Sequence, residues 1–238
     1  MKNMHCMVLA ALLGSGAAFA GPPPAGADGA DFVMPSARTA SPTQLAAVRG
    51  LRDFAARFAG DAGQLPPGFP LDVRDLGELR QAQIGWGFQV YDLTPAALAS
   101  GAALEASARA TGVWRYEVIL HGRPIGLVTL AQASHGWEVV SVGGSGLVGD
   151  IDAAVAAYGA AGTRLRYVRV PQATADFIQV KRGAAAAQYA PLQAARGALG
   201  ASLRSVAPQR GVAADPRLLG GGELRAQLLH VVARGAAD

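Results

Sequence analysis

Cysteine is almost absent: Cys6 is the only one in 238 residues. It lies in a stretch that reads as an export signal. Lys2 gives a weak positive start, and the apolar residues 7–13 are too few to span a bilayer. Ala18-Phe19-Ala20 then offers the small-x-small pattern that signal peptidase reads. Residues 1–20 are expected to be a signal peptide cleaved after Ala20. Cys6 precedes the apolar run, which argues against a lipid anchor. The mature chain would have no disulfide, no thiolate nucleophile and no cysteine-ligated metal. It would depend on a core large enough to hold without cross-links.

Histidine is scarce too. Beyond the signal only His121, His135 and His230 remain. His121 precedes one expected turn and His135 lies in the next, at the opposite end of the intervening strand. His230 belongs to the tail. A Ser-His pair is not favoured by that scatter, and no H-x-x-x-H, H-E-x-x-H or acidic calcium loop is present. No metal site and no cofactor is expected. No later segment is apolar for long enough to make a transmembrane helix. Charge of either sign is thin. The formal net charge is +4, the basic residues are nearly all arginine, and they are scattered. An ordinary solvated surface explains this better than a nucleic-acid groove.

What is present is a strand-rich middle. Trp86, Phe88 and Val90 alternate with Gly87, Gln89 and Tyr91, a period of two. Trp114, Tyr116, Val118 and Leu120 alternate with Arg115, Glu117, Ile119 and His121. Residues 125–130 and 137–142 continue a meander through short turns. Residues 165–170 and 177–180 read as two more strands. Residues 21–42, rich in Gly, Pro and Ala, read as a mobile leader. A helix is expected next, capped by Ser41 or Thr43 with Pro42 in its first turn. A second is expected after Thr94-Pro95, and a third after Gly149, with Leu147, Ile151, Val155 and Tyr158 on one stripe. Residues 183–238 read as an alanine-rich helical tail with a linker. The main domain is placed at residues 43–182. The fold class is α+β: a mainly antiparallel sheet of about four to six strands, with helices packed on one side. This plan resembles cystatin-like and propeptide-type modules in architecture only, and the resemblance carries over no residue and no activity.

Gly144-Ser145-Gly146-Leu147-Val148-Gly149 matches the dinucleotide fingerprint G-x-G-x-x-G between a strand and a helix. A dinucleotide fold needs that strand paired in parallel, and an acid closing the next strand. Here the strand ends a meander, and the next one closes on Val168, Arg169, Val170 and Pro171. The glycines are expected to build a corner, with Ser145 or Asp150 capping the helix. Ser145 departs from the nucleophile-elbow pattern, because Leu147 stands where Gly is needed.

Glu117, Glu138 and Asp92 could supply a carboxylate pair, but Glu117 and Glu138 read as solvated strand-face residues. Arg164 and Arg166 share one strand face, with Arg169 on the other. Arg164, Arg166 and Trp137 are the candidate partner-binding residues, and no catalytic residue is singled out. The expected function is an exported, periplasmic or secreted, non-catalytic binding protein. Its expected partner is another envelope or secreted protein. The alternatives are a hydrolase with a carboxylate site assembled in three dimensions, and a structural envelope subunit with the tail as assembly helix.

Overall fold

A computed structural model of the chain describes residues 31–33, 40–58, 65–200 and 218–235. The signal expected at residues 1–20 lies outside them. Among the described residues no helix is long and apolar enough to cross a membrane.

Among the described residues nine strands form one sheet. They are β1 Phe32–Val33, β2 Gln83–Asp92, β3 Arg109–Leu120, β4 Arg123–Ala133, β5 Gly136–Gly143, β6 Thr163–Val170, β7 Ala175–Arg182, β8 Gln188–Pro191 and β9 Leu219–Gly220. Eight run in the order β5-β4-β3-β2-β6-β7-β8-β9, and β1 lies beside β2. Every pairing is antiparallel except β2 with β6. The sheet thus consists of two antiparallel halves joined by one short parallel seam, Val90↔Tyr167 to Asp92↔Arg169.

The strand count exceeds four to six because β1 comes from the expected leader and the alanine-rich tail is not purely helical. β8 and β9 extend the same sheet. The tail helices α5 Gln193–Leu199 and α6 Gly221–Gly235 follow them. Leu224 and Leu228 of α6 are buried against Phe177, Tyr189 and Leu219.

Helices lie on both faces of the sheet, not on one. Successive residues of a strand point to opposite faces. On β3, Tyr116, Val118 and Leu120 pack with Ala46, Ala47 and Leu51 of helix α1 Pro42–Ala56. Leu127 of β4, paired with Glu117 on the other face, packs with Val148 and Ile151 of helix α4 Ser145–Tyr158. Tyr116, Leu127, Trp137 and Ile151 therefore divide between two cores. Trp114 and Trp137 are only partly buried, and Val139 is exposed.

Local chemistry explains the boundaries. Ser41 caps α1 by accepting from the Gln44 amide, and Pro42 opens the helix. Thr43 hydrogen-bonds the Tyr116 hydroxyl at 2.6 Å, tying α1 to the meander. The helix expected after Thr94-Pro95 is two short pieces, α2 Pro95–Ala99 and α3 Leu104–Ser107. At the glycine corner, Gly144 is the N-cap of α4 in the left-handed region, φ 77°, with no side-chain cap. A non-glycine residue there would be strained. Asp150 is not that cap. Its carboxylate accepts from the Gln193 amide at the start of α5 and meets Arg196 at 3.3 Å.

Candidate functional site

Two buried acids flank the middle of β2 from opposite faces. The first lies where the seam opens. β6 pairs with β2 only over Tyr167–Arg169, although it begins at Thr163. Below the seam the two strands part, and β1 occupies the β2 side of this fork with the register Phe32↔Phe88 and Val33↔Gly87. The Gln89 amide donates to the Asp31 carbonyl at 3.3 Å. Residues 31–33 lie within the stretch expected to be a mobile leader.

Asp31 is 6 % exposed. A buried carboxylate needs a partner, and the Arg166 Nε stands 3.2 Å from its Oδ1. The same guanidinium lies over the Tyr91 ring, 4.2 Å from its centroid. Burial, followed by the charge of Asp31, holds the Tyr91 hydroxyl above its ordinary pKa. Cross-strand pairing continues this row from Arg166 to Gln179 and Tyr189. Gln179 Oε1, the Tyr189 hydroxyl and Asp31 Oδ2 are buried with no hydrogen-bond partner. On the other face Phe32 stacks on Phe88 at 5.3 Å and tilts against Trp86 at 5.5 Å.

The second acid is Glu117, 3 % exposed on the α4 face. The solvated reading of this residue is overturned, because α4 covers the side of β3 that carries it. The β2–β3 register slips between Ile84↔Val118 and Gly87↔Tyr116, so two residues, Gly85 and Trp86, stand opposite Glu117. This is a β-bulge, a device that re-aims side chains. A Cβ at position 85 would meet the ends of the Glu117 and Ile119 side chains, which would have to shift to admit any residue but glycine. Burial and then the charge of Asp152 on α4 push the Glu117 carboxyl up to about 7, against one lowering contact from the Trp86 amide. Glu117 is thus a carboxyl poised to hold or release a proton near neutrality.

The third feature is open. α1 overhangs the edge strand β5 and leaves a cleft of about 520 Å³. Arg49, Asp53 and Arg57 line it from the helix, and Trp137, Val139 and Val140 line it from the strand. Val140 is 59 % exposed. The β4–β5 register slips between Thr129↔Ser141 and Leu130↔Val139, leaving Val140 as the extra residue. Such a kink hinders the edge from pairing with a further strand.

The three sequence candidates are not brought together. Arg164 is exposed on β6 and shares a face with Arg166. Arg166 is largely buried in the fork. Trp137 stands in the cleft at the β5 edge, with β4, β3 and β2 between it and β6. Among the carboxylates, Glu138 is exposed and pairs with His135. Asp92 is partly buried, and burial holds its pKa above the ordinary value, with Arg169 opposing. His121 contacts Gln81 at 2.9 Å, and His230 is exposed on α6. Among the described residues no group of three or more His, Cys, Asp or Glu could hold a metal ion. Among the described residues the fingerprint strand β5 pairs only with β4, antiparallel, at the sheet edge, which is not the parallel pairing that a dinucleotide fold requires.

Sequence reasoning missed Asp31, and it weighed Glu117 as a carboxylate but placed it on a solvated strand face. The tripeptide Asp31-Phe32-Val33 is the one apolar interruption of a Gly/Pro/Ala stretch, and that was the available signal. For Glu117 the signal was Gly85 two strand positions from an acid-bearing neighbour, which is too weak to read alone. Comparison with known protein families, curated proteins and solved structures finds no match to this chain.

Proposed function

We propose that this is an exported, non-catalytic binding protein of the periplasm or extracellular space, acting on another envelope or secreted protein. The observation that carries the reading is the α1–β5 cleft. It joins exposed apolar side chains, Val139 and Val140, to a half-buried Trp137 and the charged stripe Arg49, Asp53 and Arg57. An aromatic anchor beside an apolar patch with a polar rim is the usual anatomy of a protein-binding surface. The signal-like residues 1–20 support export. α1 laid across the meander favours a cystatin-like plan, which by itself assigns no activity.

The test starts from a partner that co-purifies with the exported chain. Val140→Glu and Arg49→Glu alter exposed cleft residues. Each should weaken that partner by at least about tenfold in a titration, the scale of a hot-spot loss. Undiminished binding by both variants would show that the cleft is not the binding surface.

One observation favours the hydrolase as second reading: Glu117, held near 7 beside Asp152, is a carboxyl with the protonation behaviour of a general acid. Its 3 % exposure requires α4 or Trp86 to move before a substrate touches it. A turnover that follows a pKa near 7 and vanishes in Glu117→Gln would make this the leading reading.

A further inference from the structure

We infer that the fork between β2 and β6 is an acceptor for an extended peptide strand carrying an acidic residue directly before an aromatic one, and that β1 is its internal occupant. This rests on the binding-protein reading and names a second site and a partner chemistry.

The fork does not depend on β1 for its walls. β2 is held by β3 along most of its length, and β6 is held by β7 from Thr163 to Val170. β1 adds two residue pairs to β2, one ion pair and one ring cluster. Each contact has a defined chemical demand. The free edge of β2 asks for extended backbone, antiparallel to it. Arg166, buried over Tyr91, asks for a carboxylate on one face. Trp86 and Phe88 ask for an aromatic ring on the other, at the adjacent position, because neighbouring strand residues alternate. Asp31-Phe32-Val33 meets all three.

β1 also leaves hydrogen-bonding capacity unused. Asp31 Oδ2, Gln179 Oε1 and the Tyr189 hydroxyl lie buried without partners along the row that Arg166 begins. Gln179 and Tyr189 are each 1 % exposed. Unpaired polar groups at that depth are costly. The unpaired Asp31 oxygen leaves with β1, and a partner side chain that reaches Gln179 or Tyr189 along this row would hold the fork better than β1 does. The occupant is therefore replaceable: a segment of a partner protein with Asp or Glu before Phe, Tyr or Trp competes with β1 for the same slot.

The test uses the full chain. Asp31→Ala/Phe32→Ala removes both anchors of the internal occupant. A fluorescein-labelled octapeptide with the sequence of residues 28–35, Asp-Gly-Ala-Asp-Phe-Val-Met-Pro, is titrated into this variant and into the wild type, with anisotropy as readout. The variant should bind saturably. The wild type should bind at least about tenfold more weakly, because a tethered occupant competes at an effective concentration on the order of millimolar. Changing the second Asp of the peptide to Asn, or its Phe to Ala, should cost the variant at least about tenfold in affinity. A variant that melts like the wild type yet ignores the peptide overturns the inference. So does equal binding of the altered peptides.

If the double variant does not fold, hydrogen exchange of the wild type decides. The Gln89 amide, whose acceptor is the Asp31 carbonyl, should exchange at least about tenfold faster than the amides of Val118 and Val128, by local release of β1. Equal rates would mean that β1 leaves only when the sheet unfolds, and would overturn the proposal. A wild-type dimer dissolved by Phe32→Ala would replace the partner strand with a second copy and overturn the assignment to a partner protein. The cleft variants leave the fork intact. A chain that binds through α1 and β5 but refuses the peptide refutes the fork alone, and leaves the binding reading standing.

Discussion

Asp31 and Glu117 are hidden almost equally, at 6 % and 3 % exposure, on opposite faces of the strands around β2. Their surroundings differ in sign. Asp31 faces the Arg166 guanidinium, whereas Glu117 faces the like charge of Asp152. The first arrangement sets a cation against a buried carboxyl, and the second sets a like charge against one. For Glu117 burial is the first cause of the raised pKa and the Asp152 charge adds to it, whereas Asp31 at similar depth has a cation against it.

Removing the cation should have the strongest effect. Arg166→Leu leaves Asp31 buried without its ion pair and should cost roughly 3–5 kcal/mol in chemical denaturation. The double change Asp31→Leu/Arg166→Leu should recover much of that loss. A single variant as stable as the wild type would show that Asp31 simply turns outward.

Glu117 should behave in the opposite way. Its folded pKa is raised, so the fold favours the protonated carboxyl. That contribution is complete below the ordinary value of 4.5 and is lost as the pH rises through about 7. The gap between 4.5 and about 7 corresponds to at most about 3 kcal/mol, and solvent screening reduces it. Wild-type stability should therefore decline over this window, and Glu117→Gln should flatten the decline and be the more stable chain at high pH. Parallel pH–stability curves for the two would place the Glu117 carboxyl in water.

A smaller effect tests the bulge that holds this acid. Gly85→Ala places a methyl group against the Glu117 carboxylate and Ile119. Overpacking of this kind costs about 1–3 kcal/mol, and denaturation at low and high pH would show whether the loss follows the state of Glu117. The smallest change expected is for Asp152→Asn. It removes the second cause of the raised pKa and leaves burial, the first. The stability decline should move to slightly lower pH, with less than about 1 kcal/mol at stake at any pH.

Much of the sheet was readable in the sequence because alternation survives wherever one face is richer in aromatic and β-branched residues. Trp86-Phe88-Val90 and Trp114-Tyr116-Val118-Leu120 carried β2 and β3, and Ser41-Pro42 carried the start of α1. The second face was not readable. A helix that returns over a sheet buries residues whose own letters still spell polar, as with Glu117, and only the crossover through α4 determines which they are. β8 was missed for a related reason. Gln188-Tyr189-Ala190-Pro191 is too short to show a period, and its strand form comes from pairing with β7. The candidate site suffered most. Arg166 was singled out as a partner-binding residue, but its ion pair lies far back in the chain at Asp31, and no local pattern connects the two.

The short parallel seam also bears on the order of folding. Pairings from β2 to β5 and from β6 to β8 join neighbours in sequence, whereas Val90↔Tyr167 must close a loop that contains three strands and α4. Loop closure over that length is entropically slow compared with hairpin formation. The two halves are thus expected to form as separate early units, with the seam as the late, rate-setting step. Substitutions at Tyr91 and Val168 should then slow refolding, while those inside the β3–β4 hairpin should chiefly affect the stability of the early unit.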